Sequence, residues 1–98
     1  IMAFSTSGNT AVRIARERPV TRIVVLSPFL SVRRKLSVLW GVETLPSTVI
    51  GDFEAAIDEA SRLVKARELA SRGAHVVTVA GMPFGIAGTT NSLRVITL

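Results

Sequence analysis

The sequence predicts an α/β fold, a three-layer α/β/α sandwich built on a mixed five-stranded sheet. Three observations support this. Strand-like apolar segments alternate with helical spacing along the chain in the order β-α-β-α-β-α-β-β. Helical connections imply parallel strands joined by right-handed crossovers, with helices on both faces of the sheet. The last connection is rich in glycine and carries no helix, so it can return strand 5 antiparallel beside strand 4. The expected strand order is 3-2-1-4-5.

The first half of the chain carries two strands and two helices ahead of a third strand. Pro19 ends the first helix, because proline cannot continue a helix and disfavours helical backbone at the preceding residue. Ser27 and Pro28 match a helix start, with a hydroxyl N-cap and proline at the first helical position. The predicted elements are a strand at residues 1–4, a helix at 10–17, a strand at 22–26, a helix to about Leu36, and a strand at 38–40 with Val42.

The second half carries the longest helix and the two closing strands. Asp52 is placed to cap this helix, whose apolar residues form a stripe along one face. Gly73 supplies the left-handed position that commonly ends a helix. The predicted elements are a loop at residues 44–51, a helix from Asp52 to about Ser71, a strand at 75–80, a glycine-rich loop at 81–91, and a strand at 93–98.

A length of 98 residues indicates one domain, residues 1–98. Hydrophobic residues make up 48% of the chain, which fits an unusually apolar core or, as we favour, a surface buried against another domain or subunit. Polar residues or proline interrupt every apolar stretch before the ~18 residues of a spanning helix, so no membrane partner is expected. The absence of cysteine excludes a disulfide scaffold and fits a cytoplasmic location. Because residues 1–4 enter a strand part-way, we expect the sequence to be an excerpt.

The formal net charge is +5, which favours anionic small ligands by raising their local concentration. The one basic cluster is Arg33-Arg34-Lys35. No aromatic residue is interleaved with it to stack on bases, and no nucleic-acid-binding motif is recognisable. We interpret the cluster as a solvated helix face and expect no nucleic-acid partner.

Two loops follow strands at the carboxyl edge of the predicted sheet, where open α/β sheets bind ligands. The first loop leads directly into a helix, whose N–H groups and dipole favour an anion. Its hydroxyls add hydrogen-bond donors, and the combination suits phosphate. An ordinary capped helix start, in which Ser7 or Asn9 satisfies backbone donors, explains the segment equally well. The candidate phosphate-binding residues are Ser5, Thr6, Ser7, Gly8, Asn9 and Thr10.

The second loop, residues 81–91, contains three glycines, which permit backbone shapes forbidden to other residues. It matches neither the Walker pattern nor the dinucleotide fingerprint. A plain connection is the simpler interpretation, but loops of this length are usually functional or disordered. The candidate residues of this loop are Met82, Pro83, Phe84, Gly85, Gly88 and Thr89.

Four groups of residues follow one another along the chain at characteristic spacings. They are Thr-Ser-Gly-x-Thr-Ala at residues 6–11 with Arg18-Pro19; Arg34 and Leu36 ahead of Trp40-Gly41-Val42; Lys65-Ala66-Arg67 before a Gly-x-x-Val-Val strand; and Gly81-x-Pro83-x-Gly85-x-x-Gly88-Thr89-Thr90-Asn91 with Arg94-Val95. Each group is weak alone, and their order makes the pattern specific. Over essentially the whole chain, this pattern resembles the C-terminal domain of pyruvate kinases.

The resemblance implies a role outside catalysis. Pyruvate kinases transfer the phosphoryl group of phosphoenolpyruvate to ADP with Mg²⁺ and often K⁺, in a barrel and a lid domain that are absent from these residues. Their C-terminal domain packs on the barrel, forms one of two tetramer interfaces, and in many members binds a phosphorylated effector. The loop matching residues 5–10 then holds a phosphate, and the loop matching residues 82–88 closes over the sugar. No catalytic residue, cofactor or metal is expected in this domain.

The sequence departs from the members that fructose 1,6-bisphosphate activates in animals and fungi. Those members commonly carry lysine at the position of Thr6, and a tryptophan and an arginine that match positions near Val49 and at Ala56. Because arginine–phosphate bonds are strong and bidentate, we expect a weak or absent response to this bisphosphate. A singly phosphorylated sugar, a nucleotide monophosphate or inorganic phosphate is the expected ligand, unless the pocket is vestigial.

Other residues receive structural interpretations. His75 has no metal-ligating neighbour at suitable spacing and is interpreted as a surface residue. Trp40 is interpreted as a core or interface residue, and the pair Asp58-Glu59 as solvated carboxylates. The last strand is an edge that we expect a neighbouring subunit to cover. The rival function is a stand-alone anion- or nucleotide-binding α/β module.

Overall fold

The computed structural model describes residues 1–48, 52–81 and 90–98, with Thr90 described by its backbone alone. Within these residues, five strands and three helices follow one another in the predicted order. They are β1 (Met2–Phe4), α1 (Asn9–Arg16), β2 (Ile23–Ser27), α2 (Leu30–Leu36), β3 (Val42–Pro46), α3 (Phe53–Ala66), β4 (His75–Gly81) and β5 (Thr90–Thr97). None of these helices is both long and apolar enough to cross a membrane.

The strands are ordered β3-β2-β1-β4-β5, which confirms the predicted sheet. β1 pairs in parallel with both β2 and β4, β2 pairs in parallel with β3, and β5 is antiparallel to β4. Met2 lies beside Val24 on one side and Thr78 on the other. Because β1 to β4 point in one direction, their ends share one side of the sheet, the carboxyl edge. The connections that enter these strands share the opposite side, the amino edge.

The core divides into two clusters, one on each face of the sheet. The larger cluster packs α3 against alternate residues of β1, β2 and β4 and against Leu45 of β3. The smaller cluster packs α1 and α2 against β2. Neighbouring strand residues such as Val24 and Val25 therefore belong to different clusters, as the two-residue period of a strand requires. This arrangement confirms the three-layer architecture.

The third strand lies farther along the chain than predicted. Val38 and Trp40 lie in a turn, 84% and 75% exposed, and β3 begins only at Val42. Gly41 adopts a left-handed conformation, with φ of +77°, just before the strand. The loop predicted over residues 44–51 therefore begins with strand residues. The strand continues to Pro46, whose missing N–H is tolerated because β3 is an edge strand.

Helix starts are only partly as predicted. α2 begins at Leu30 and not at Pro28, with extended Phe29 as its N-cap. Ser27 ends β2, and its hydroxyl accepts a hydrogen bond from the N–H of Phe29 at 3.3 Å, so it shapes the turn that leaves the strand. Asp52 caps α3 as predicted, since its carboxylate accepts from two backbone N–H groups.

The end of α3 was wrong in the sequence prediction. α3 ends at Ala66 and not near Ser71. Glu68, with φ of +55°, takes the left-handed position that was predicted for Gly73. The N–H groups of Glu68 and of the residue after it donate back to carbonyls of the last helical turn, the Schellman pattern. Gly73 is also left-handed, but it lies in the turn before β4.

Candidate functional site

Three buried serines lie side by side at the carboxyl edge. Ser5 follows β1, Ser27 ends β2 and Ser47 follows β3. Backbone hydrogen bonds join the row: Ser5 donates to the carbonyl of Leu26 at 3.1 Å, and Ser47 donates to the carbonyl of Ser27 at 3.3 Å. The turns that leave three neighbouring strands therefore start from a common polar row.

Ser5 closes the turn of the first candidate loop. Its hydroxyl oxygen accepts a hydrogen bond from the N–H of Gly8 at 2.8 Å, in a buried setting. Ser5 is 9% exposed, and the hydrogen bond satisfies a backbone donor that burial would otherwise leave unpaired. Ser5 therefore supports the loop from below.

Gly8 brings the loop close to α2. Its φ is +88°, in the left-handed region that favours glycine. A Cβ at this position would lie 3.2 Å from Cδ2 of Leu36 and 3.4 Å from Cγ1 of Val32. Both the backbone conformation and the available space therefore favour glycine. Gly8 is also the N-cap of α1, and it provides no side-chain cap to the helix.

The other loop residues lie nearer to the surface. Asn9 is exposed, and Thr6, Ser7 and Thr10 are half-buried. The hydroxyl of Ser7 accepts a hydrogen bond from the N–H of Asn9 at 3.3 Å, as the ordinary helix-start interpretation supposed. The first turn of α1 contains no acidic side chain, so no carboxylate of that turn repels an anion at the helix N-terminus.

Residues 82–89 of the second candidate loop fall outside the described residues, whereas Gly81 belongs to β4 and Thr90 and Asn91 belong to β5, which begins earlier than predicted. The residues that bracket it, Gly81 of β4 and Thr90 of β5, pair with each other at the carboxyl edge. β4 adjoins β1 there, with Val79 beside Ala3. Both predicted loops therefore leave the sheet from neighbouring strands. The candidate residues left undescribed are Met82, Pro83, Phe84, Gly85, Gly88 and Thr89.

Glu59 is a buried residue of this edge that the sequence prediction missed. The pair Asp58-Glu59 was interpreted as solvated, and Asp58 is indeed exposed, but Glu59 is only 8% exposed. The Glu59 carboxylate accepts hydrogen bonds from the N–H of Thr48 at 3.0 Å, from the Thr48 hydroxyl at 3.1 Å and from the Ser47 hydroxyl at 3.4 Å. This carboxylate therefore ties the end of β3 to the middle of α3.

Comparison with known proteins identifies the family of this chain. The family model described as the pyruvate kinase alpha/beta domain matches residues 1–96. The chain belongs to the pyruvate kinase family. A pyruvate kinase of Agrobacterium vitis is 42% identical over 96 residues, which are 98% of this chain and 20% of that protein. A pyruvate kinase of Methylorubrum extorquens is 36% identical over 95 residues, 97% of this chain and 20% of that protein.

A solved pyruvate kinase has the same fold. The structure of the Cryptosporidium parvum enzyme in complex with ADP matches with a TM-score of 0.86 at 27% identity, over 98% of this chain and 19% of that chain. The chain therefore spans about a fifth of the length of the pyruvate kinases that it matches. It corresponds to their C-terminal domain, as the sequence resemblance predicted.

The sequence resemblance matched Ala56 to the arginine of bisphosphate-activated members. Ala56 lies on α3 in the larger core cluster and is 1% exposed. Val49, near the position matched to their tryptophan, lies outside the described residues. In the basic cluster, Arg34 and Lys35 are exposed as predicted. Arg33 is half-buried, and its Nε has no hydrogen-bond partner in the described part of the chain.

Metal ligands, His75 and Trp40 are the remaining features of this pyruvate kinase domain that the sequence analysis considered. Residues 1–48, 52–81 and 90–98 contain no group of three or more His, Asp or Glu side chains that could hold a metal ion. His75 is exposed, as predicted, and its Nδ1 lies 3.1 Å from the Thr97 hydroxyl. Trp40 is exposed at the amino edge, so it is not a core residue.

Proposed function

We propose that residues 1–98 are the regulatory and tetramer-assembly domain of a cytoplasmic pyruvate kinase, which converts phosphoenolpyruvate and ADP into pyruvate and ATP. Family membership over the whole chain supports this proposal. Catalysis, with the Mg²⁺ and often K⁺ that the family resemblance implies, belongs in this proposal to the barrel and lid domains outside these residues. The domain itself contributes no catalytic residue.

The ligand in this proposal is a phosphate group at residues 5–10. The observation that carries it is the left-handed turn at Gly8, which starts α1 at the carboxyl edge without an acidic residue in the first helical turn. Helix N-termini with exposed N–H groups favour anions. Residues 82–89 contribute the rest of the ligand site in this proposal, as the family resemblance implies. The proposed phosphate contacts are Thr6, Ser7, Asn9 and Thr10, and the residues that hold the loop in shape are Ser5 and Gly8.

We assign the site a ligand with a single phosphate. Thr6 stands where bisphosphate-activated members carry lysine, and Ala56 is buried. Beside Val49, the donors of Thr48 are already taken by the Glu59 carboxylate, and a carboxylate disfavours a second phosphate nearby. Strong bidentate arginine–phosphate bonds are missing from these matched positions. A singly phosphorylated sugar, a nucleoside monophosphate or inorganic phosphate fits these residues better than a bisphosphate.

The β5 edge is the proposed subunit contact. Among the strands of the described residues, β5 has a neighbour on one side only, and its Leu93 and Val95 are 71% and 59% exposed. An edge strand with exposed apolar side chains is disposed to contact another chain. Regulation then follows from differential affinity, since a ligand that binds the closed loops better shifts the tetramer toward the arrangement that closes them.

Steady-state titration of the full-length enzyme tests the ligand. We expect a singly phosphorylated sugar or AMP to lower the half-saturating concentration of phosphoenolpyruvate, and micromolar fructose 1,6-bisphosphate to leave it unchanged. Ser7→Ala should weaken the response, whereas Ser31→Ala, at an exposed serine of α2, should not. A large drop with the bisphosphate refutes the assigned ligand class, and no response to any phosphorylated compound refutes the regulatory role.

Analytical ultracentrifugation tests the assembly separately. Leu93→Glu is expected to lower the oligomeric state of the full-length enzyme, because a charge cannot be buried cheaply at a subunit contact. The matched control is Leu30→Glu, on an exposed position of α2 that is 49% exposed, and it should leave the oligomer intact. A Leu93→Glu enzyme that still sediments as a tetramer counts against this contact.

A further inference from the structure

The excess positive charge of the chain comes from its first 42 residues. Residues 1–42 carry seven arginine and lysine side chains and one carboxylate, Glu17, a formal side-chain charge of +6. Residues 43–98 carry five such cations and six carboxylates, a formal charge of −1. Residues 1–42 also supply both helices on one side of the sheet, α1 and α2, whereas α3 covers the other side. The proposed function leaves this asymmetry unexplained.

Four exposed cations mark the outer side of α1 and α2, here named the basic face. They are Arg13 and Arg16, three residues apart on α1, and Arg34 and Lys35 on α2. The two helices lie side by side, because both pack on β2 and α2 closely approaches Gly8 at the start of α1. Both helices begin at the carboxyl edge, so the last turns, which hold these cations, lie toward the same end. No salt bridge within the described part of the chain involves any of the four.

The helix dipole explains only part of this pattern. It favours cations in the last turn of a helix and carboxylates in the first turn. α3 follows both halves of the rule, with Asp52 and Glu54 at its start and Lys65 in its last turn. α1 and α2 have the cations, but neither has an acidic side chain in its first turn. The basic face is therefore a surface of like charges, which repel one another until an anionic group lies against them.

Apolar side chains within the basic face favour a protein partner over a nucleic acid. Leu30 is 49% exposed and lies one turn before Arg34 on α2. Val12, Ile14 and Val32 are only partly buried against the smaller core cluster. A sugar–phosphate backbone offers no apolar group to such side chains, and α1 and α2 contain no aromatic residue on which bases could stack. An acidic amphipathic segment supplies both carboxylates and apolar side chains.

We propose that the basic face is an interaction surface for an acidic amphipathic segment of another protein. Carboxylates of this partner pair with Arg13, Arg16 and Arg34, and its apolar side chains cover Leu30. Arginine suits this role, because its guanidinium can bind a carboxylate through two parallel hydrogen bonds. A surface of one sign also steers an acidic partner toward it and speeds association. The inference does not depend on the phosphate ligand at residues 5–10.

Fluorescence anisotropy with the full-length protein at physiological ionic strength tests the basic face. The probe is a labelled synthetic peptide in which pairs of glutamates alternate with leucine. The double variant Arg13→Glu, Arg34→Glu is expected to weaken binding of this peptide by roughly 10-fold, because repulsion replaces attraction at both positions. The matched control, Arg62→Glu with Arg67→Glu, makes the same change of charge at exposed positions on the α3 side and should alter the affinity less than about twofold. Equal losses in the two variants, or no binding by the parent protein, overturn the proposal.

Competition experiments test the class of the partner. An all-glutamate peptide of the same charge should displace the probe roughly 5-fold less well, because it cannot bury apolar area at Leu30. Single-stranded RNA and vesicles of anionic lipid, at matched negative charge, should displace the probe less well than the unlabelled amphipathic peptide. If the all-glutamate peptide, RNA or vesicles compete equally well, the face recognises negative charge alone and the proposal is wrong.

Catalytic rates of both double variants should match that of the parent protein, which checks that the variants fold. Titration of the Arg13→Glu, Arg34→Glu variant with a singly phosphorylated sugar reports the phosphate site separately. A variant that loses the peptide and keeps the response to the sugar supports the basic face as a second, independent surface. A variant that keeps the peptide contradicts the basic face, whatever its response to the sugar.

Discussion

The turns at the two edges of the sheet differ in how their side chains are satisfied or buried. At the carboxyl edge, buried side chains accept hydrogen bonds from the turns that follow the strands. Ser5 accepts from Gly8, and Glu59 accepts from Thr48. At the amino edge, Val38 and Trp40 are 84% and 75% exposed, although the guanidinium of Arg18 lies over the Trp40 ring. Polar groups at an edge can be satisfied by hydrogen bonds within the domain. Exposed apolar side chains are buried only when another protein surface packs against them.

Gly8 and Gly41 give the largest expected contrast between the edges. Gly8→Ala combines left-handed strain with displacement of Leu36 and Val32, and should cost about 2–4 kcal/mol of stability. Gly41→Ala meets no atom within 4 Å, so its cost should be the strain alone, about 1 kcal/mol. Chemical denaturation of the full-length protein, followed by hydrogen exchange in β1 and β3, measures both. Equal losses of stability in the two variants would contradict the difference in packing between the two edges.

Removal of the Glu59 carboxylate is the next largest effect. Glu59→Ala leaves the buried hydroxyl of Ser47 and the part-buried N–H of Thr48 without this acceptor, which should cost about 1–3 kcal/mol. Glu59→Gln keeps an acceptor oxygen and should lose less. Asp58→Ala, at the exposed neighbouring position, should change stability by less than ~0.5 kcal/mol. Hydrogen exchange at the Thr48 amide measures the local effect. If this amide is as well protected in Glu59→Ala as in the parent protein, Glu59 does not hold the end of β3 against α3.

Sequence reasoning succeeded where chain-wide rules apply and failed where a single residue's surroundings decide. The alternation of elements, the crossover rule and the glycine-rich last connection were enough to predict the strand order. β3 was misplaced because Val38 and Trp40 look like buried strand residues, although they lie in an exposed turn. The sequence alone does not distinguish an apolar residue exposed in a turn from one buried in the core.

The carboxyl-edge loops could be located in advance because they follow strands, but the roles within them could not. Glu59 lies three residues after Ala56 and four before Leu63, on the covered side of α3, and this spacing was the available signal. We nevertheless predicted an exposed Glu59, because glutamate is rarely buried in proteins. In the first loop, the direction of each hydroxyl depends on the bend at Gly8, and that bend depends on the approach of α2.

Ser5 and Ser7 give the smallest and most specific test, because they separate support of the loop from contact with the ligand. Ser5→Ala removes the acceptor of a buried 2.8 Å hydrogen bond and should cost about 1 kcal/mol. Ser7→Ala removes a half-buried acceptor at 3.3 Å and should change stability by less than ~0.5 kcal/mol. In titrations with a singly phosphorylated sugar, Ser7→Ala should weaken the response without this loss of stability. If Ser7→Ala destabilises the domain as much as Ser5→Ala and leaves the response intact, the loop is only a capped helix start.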